Sequence, residues 1–178
     1  MDQQELNKHL VHIVQEYGSK WNNIEDHIYK QYEQEEAELR EKYTGDEYHY
    51  VQRTDWHEQF SGLIGPIFVE YCTDKKRVYG GRSRQSFGFP VKFNGIEHSI
   101  ETNVELKNKN RAEVYFKTET NFNDEYLFVL LRKADTWKID NYKNRRYGTI
   151  LHMCHKYVKK SNLNIFSKSR FFNGKQRL

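Results

Sequence analysis

The sequence predicts an α+β fold, with N-terminal helices packed on a curved antiparallel sheet. Two patterns and their order carry that expectation. Apolar residues recur at spacings of three and four over roughly the first forty residues. Residues 97–142 then break into successive alternating runs separated by short polar turns. Helices first and strands afterwards is the order of an α+β domain, with the helices gathered on one face of the sheet.

A chain of 178 residues is long enough for one domain with a sizeable core. Residues 1–150 are expected to form that single domain, and residues 151–178 a basic C-terminal extension. Only 37% of the residues are hydrophobic and the mean hydropathy is −1.00, but 15% are aromatic. Large rings bury much area each, so the composition is that of a folded chain and not a disordered one. No apolar run approaches the roughly 20 residues that span a bilayer. The start is polar and acidic, with no apolar signal region behind it. A cytoplasmic protein without membrane contact is expected. Cys72 and Cys154 are too few for a disulfide framework; two reduced thiols are the favoured reading and a single bridge the alternative. The net charge of +4 hides an asymmetry. Residues 141–178 carry ten Lys and Arg and no acid, which leaves residues 1–140 at −6.

Leu10, Val14, Tyr17, Trp21, Ile24, Ile28 and Tyr32 form one helical stripe, with Leu6 and Leu39 extending it. Gly18-Ser19 marks a kink or a division into two helices. From Glu33 to Glu47 this helix is strongly acidic, with Glu33, Glu35, Glu36, Glu38, Glu41, Asp46 and Glu47 against Arg40 and Lys42. A solvated face is the plain reading of that run, and a patch for a basic partner the functional one. Thr44-Gly45-Asp46 ends the helix. A second helix starts at residues 54–58, with Thr54 as cap and Asp55 in its first turn. Gly62 and Gly65-Pro66 should break or redirect it. A basic, glycine-rich loop with Arg77, Arg82 and Arg84 follows. Residues 86–93 then read as an edge strand, because Pro90 cannot donate to a ladder. Asn94-Gly95 is a turn signal.

Ile100, Thr102, Val104 and Leu106 alternate with polar residues, as do Ala112, Val114, Phe116 and Thr118. The run from Tyr126 to Leu131 is apolar on both faces, which is the mark of a central strand covered on both sides. Ala134-Asp135 turns the chain into Trp137-Lys138-Ile139-Asp140, whose inward residues are Trp137 and Ile139. Residues 147–157 allow a short helix.

Phe68-Val69-Glu70-Tyr71-Cys72-Thr73, Lys75-Lys76-Arg77 and Phe87-Gly88-Phe89-Pro90, taken in order, resemble the nuclear transport factor 2-like immunity proteins of bacterial polymorphic toxin systems. Lys109-Asn110-Arg111-Ala112-Glu113-Val114, Tyr126-Leu127-Phe128-Val129-Leu130 and Trp137-Lys138-Ile139-Asp140 are similar to that family's central and closing strands. The resemblance covers about half the chain and rests on strand patterns, not on a catalytic signature. It implies a cone-shaped fold, a cytoplasmic location and a cognate toxin protein as partner.

Enzymes on such cones use a few polar residues inside, and Asp55, His57, Tyr71 and Asp140 are the candidates. Capping explains Asp55 without catalysis, and Asp140 sits opposite the face that Trp137 packs on. No nucleophile elbow, phosphate-binding glycine motif or paired-histidine metalloprotease motif occurs. His152, Cys154 and His155 have no second ligand pair at suitable spacing, so no metal and no cofactor is expected. The basic tail, with Lys156, Lys159, Lys160, Lys168 and Arg170 among Tyr157, Phe166, Phe171 and Phe172, fits the recipe for nucleic-acid contact. A solvated terminus is the plainer reading.

The leading expectation is therefore a non-enzymatic immunity protein that binds and neutralises a toxin. A basic toxin would meet Glu33, Glu35, Glu36 and Glu38; an acidic one would meet Arg77, Arg82 and Arg84 or the tail. The alternatives are a small enzyme or ligand-binding cone and, more weakly, nucleic-acid binding through the tail. Oligomeric state is left open.

Overall fold

The computed structural model describes residues 2–75, 85–146 and 149–151, the last three and Arg146 by backbone alone. Helix α1 (Gln3–Lys42) opens on a capping box, in which the Asp2 carboxylate accepts from Glu5 N at 2.7 Å and Glu5 accepts from Asp2 N at 3.0 Å. Its 40 residues run unbroken through Gly18-Ser19, where a kink or division was expected. Gly18 serves packing instead. A Cβ at that position would stand 2.8 Å from Cγ2 of Ile96, which is fully buried. Gly18→Ala is expected to lower stability: the roughly 1 kcal/mol gained in helix propensity is exceeded by an over-packing cost of about 1–3 kcal/mol. Urea unfolding followed by circular dichroism measures the balance, and an unchanged or raised midpoint would mean that Ile96 yields.

Leu10, Val14, Tyr17, Trp21 and Ile28 line the buried stripe of α1 as expected. Between Trp21 and Ile28 the fully inward position belongs to Glu25; Ile24 is half-buried beside it. After Thr44-Gly45 the chain makes the short helix α2 (Glu47–Tyr50) and then α3 (Trp56–Tyr71). The cap of α3 is Asp55, whose carboxylate accepts from Glu58 N at 3.0 Å, and not Thr54. Helix α3 also continues through Gly62, Gly65 and Pro66, contrary to expectation. Phe60, Ile64, Ile67 and Phe68 are all buried on its inner side. Burial at about 1.5–3 kcal/mol per side chain outweighs the ~3 kcal/mol that an internal proline costs.

Residues 86–93 form no strand, although an edge strand was expected there. Three of their backbone donors are taken by α1. Gly88 N and Lys92 N donate to the Glu25 carboxylate at 3.1 and 2.7 Å, and Phe93 N donates to Asn22 Oδ1 at 3.0 Å. A backbone committed to side chains in this way has fewer groups for a ladder. The Phe89–Pro90 peptide is cis. Asn94-Gly95 turns as predicted, with Gly95 at φ +74°, and leads into a 3₁₀ turn at Ile96–His98.

The sheet is a five-stranded antiparallel meander in sequence order: β1 (Glu101–Asn108), β2 (Arg111–Lys117), β3 (Glu125–Lys133), β4 (Thr136–Arg146) and β5 (Thr149–Leu151). Residues 149–151 thus belong to a strand paired with the end of β4, where the sequence allowed a helix; residues 147–148 and 152–157 of that expectation lie outside the described residues. Ala134 and Asp135, both at positive φ, make the two-residue hairpin between β3 and β4. Central β3 is buried on both faces, with Tyr126, Phe128 and Leu130 on one and Leu127 and Val129 on the other. In β4 the register against β3 slips by one residue, with Leu130 opposite Ile139 and Val129 opposite Asn141. Asp140 is the extra residue of this bulge. The inward side therefore changes from Trp137 and Ile139 to Tyr142, and the strand bends there.

Helices and sheet meet in an aromatic core. Trp21 has the rings of Tyr17, Phe60, Phe68 and Phe93 within 6.1 Å between centroids, and Phe93 in turn meets Tyr126, Phe128 and Tyr142 within 5.9 Å. No helix of the described residues is long and apolar enough to cross a membrane.

Candidate functional site

The four polar residues that the sequence offered for chemistry are each engaged elsewhere. Asp55 caps α3. His57 lies on α3 with Nδ1 3.2 Å from the Gln85 carbonyl and its ring 4.9 Å from that of Phe87. The Tyr71 hydroxyl takes a 2.6 Å hydrogen bond from Lys20, which also bridges to Glu70 at 3.2 Å and Glu16 at 3.3 Å. Burial raises the Tyr71 phenol, while the neighbouring Lys20 ammonium opposes that shift. The resulting network ties α1 to α3. Asp140 accepts from Thr73 Oγ1 and Lys75 Nζ, both at 2.9 Å, and so joins the end of α3 to the bulge of β4. Among the described residues no group of three or more His, Cys, Asp and Glu side chains is placed to hold a metal. His152, Cys154, His155 and the basic tail lie outside the described residues.

The acidic run of α1 divides in two. Glu35 and Glu36 face inward, onto residues 43–56. Glu35 accepts from Thr54 N at 3.1 Å, from the Thr54 hydroxyl at 2.7 Å and from the Trp56 indole N–H. The Thr54 hydroxyl and then the indole hold its carboxyl below the usual range. Glu36 is buried, accepting from the Tyr48 hydroxyl and from Arg53 at 2.6 Å. Both carboxylates dock the α1–α3 connection onto α1. Glu33 and Glu38 are exposed on the same helix. Among the described residues Glu33 pairs with no cation and lies against the Tyr29 hydroxyl instead. Partial burial and that carboxylate push the Tyr29 phenol up. Of the seven candidate contacts, Glu33 and Glu38 are open to a partner and Glu35 and Glu36 are tied down. Arg77, Arg82 and Arg84 lie outside the described residues.

A surface feature that the sequence reading passed over adjoins Glu33. Phe89 is 74% exposed, and its ring stacks on Tyr29 at 5.7 Å and 29°. Tyr29 continues to Tyr32 at 6.3 Å, Tyr32 to Phe87 at 5.7 Å, and Phe87 to buried Phe60 at 5.8 Å. Asp26, Tyr29 and Glu33 stand one turn apart on α1. In the sequence Phe89 stands in the alternating series Phe87, Phe89, Val91 and Phe93, which reads as one apolar strand face and so hides its exposure.

The fold and this surface can be set beside known proteins. A family model described as NTF2 fold immunity protein matches residues 10–150. That span runs from the first buried residue of α1 into β5. No curated protein and no solved structure gives a significant match to the chain.

Proposed function

The chain belongs to the NTF2 fold immunity protein family, and on that premise we propose that it binds a cognate toxin protein in the cytoplasm and neutralises it without chemistry of its own. The observation that carries this reading is the extent of the match, which takes in α1 from Leu10 onward, α2, α3 and the meander into β5. Two features of the molecule support it. The side chains that the enzyme reading needs are each committed to a structural contact, at Asp55, His57, Tyr71 and Asp140. The middle of the space between α1 and the sheet, where a cone enzyme would hold its substrate, is occupied by Tyr17, Trp21, Phe93, Phe128 and Tyr142. A groove that remains, between residues 4–15 of α1 and residues 102–104 of β1, is open to solvent and contains none of Asp55, His57, Tyr71 and Asp140.

Coexpression tests the proposal. The toxin encoded beside this chain, produced alone, should stop growth of the host cell. Produced together with the chain, it should be harmless and copurify with it through a tag. Continued toxicity with no complex would overturn the proposal.

A further inference from the structure

The proposed function leaves open where the toxin sits, and the Tyr29–Phe89 corner has the features of a binding surface. Phe89 leaves 74% of its surface in water on a loop held on both sides. Gly88 N and Lys92 N both end on Glu25, which is itself buried in α1. The ring rests on Tyr29, and the contacts through Tyr32 and Phe87 to Phe60 back it down to the core. Such a ring forfeits little conformational freedom on binding, and anchored aromatic residues dominate protein interfaces. One exposed carboxylate adjoins it. Glu33, one turn past Tyr29, is exposed and without a cationic partner among the described residues, whereas Glu38 lies half-way round α1 from Tyr29. Asp26 lies one turn before Tyr29 and pairs with Lys30 at 2.6 Å. Glu35 and Glu36 are turned away to the α1–α3 connection.

We propose that this corner is the toxin-binding surface, with Phe89 on Tyr29 as its apolar anchor and Glu33 as its charged flank. The inference rests on the immunity reading. Its occupant is a toxin surface that offers an apolar socket with Lys or Arg at its edge, because an exposed ring beside a carboxylate that meets no cation among the described residues is complementary to that chemistry and repels an acidic face.

The test uses the full chain and the toxin domain encoded beside it, with binding kinetics measured at two salt concentrations. Phe89→Ala should weaken the complex roughly tenfold to a hundredfold, chiefly through faster dissociation. Glu33→Lys should slow association several-fold at low salt, with the effect shrinking at high salt. Tyr50→Ala, at another exposed ring that is 87% accessible and on α2, should bind as the wild type does. Phe89 and Glu33 lie at the surface, so all three variants should keep the wild-type melting temperature. A wild-type complex that neither Phe89→Ala nor Glu33→Lys weakens would overturn this inference and leave the immunity reading standing. Equal losses at Phe89 and Tyr50 would also overturn it. A wild-type chain that forms no complex would overturn both.

Discussion

Glu25→Ala is expected to destabilise the protein by about 3–5 kcal/mol, since each buried donor left without an acceptor costs about 1–3 kcal/mol. The side chain is 4% exposed and accepts from three donors: the Trp21 indole at 2.9 Å, Gly88 N at 3.1 Å and Lys92 N at 2.7 Å. Removing it orphans the indole in the core and lets the two backbone groups rehydrate only if the loop lifts. Burial pushes the Glu25 carboxyl up, and the three donors pull against that shift. For a chain of this size the loss corresponds to a fall in Tm of roughly 6–20 °C. Glu25→Gln keeps the shape but turns an amide donor toward an N–H, so a smaller loss of about 1–3 kcal/mol is expected. Thermal and urea unfolding of the two variants check the order. Equal stability of wild type and Glu25→Ala would show that the loop is held by its rings alone.

Phe93→Ala is the second large effect, expected at about 3–5 kcal/mol because the cavity stays open when its neighbours are rigid. Phe93 is fully buried and is the ring that joins the layers, touching Tyr17 and Trp21 of α1 and Tyr126, Phe128 and Tyr142 of the sheet. Its backbone is fixed as well, since Asn22 accepts from Phe93 N and donates to its carbonyl, both at 3.0 Å. The surrounding rings cannot collapse inward while that loop is pinned. Phe93→Leu, which leaves a smaller void, should lose less than half as much. A loss under about 1 kcal/mol for Phe93→Ala would contradict the packing described, because a core phenylalanine costs several times that when removed.

The two residues also show why the sheet was readable in advance and the loop was not. Alternation in β2 and the doubly apolar run of β3 are local patterns, set by which face of the sheet each side chain must cover. The helical stripe of α1 is local in the same sense. The course of residues 86–93 is not. It depends on Glu25 and Asn22, more than sixty residues earlier, which take the backbone donors that a strand would have used. Glu35 and Glu36 were hidden for a similar reason. An acidic run reads as a solvated face until Thr54, Trp56, Tyr48 and Arg53 are folded back onto it. Pro66 and the neighbouring glycines carried the wrong sign for helix, and burial against α1 overruled them. The candidate surface was half legible. Glu33 was named for its charge, but the exposure of Phe89 shows only once the loop that presents it is seen to be fixed.

The central claim is that this protein disarms a toxin by occupying it, and a stoichiometric titration tests that most directly. Purified wild-type chain is added to a fixed amount of the toxin domain encoded beside it, at concentrations well above the dissociation constant, and the remaining toxin activity is measured. Activity should fall in proportion to the chain added, reach its floor near one equivalent and stay there with time. Activity that disappears progressively at a small fraction of an equivalent, or that persists at several equivalents, would contradict the claim.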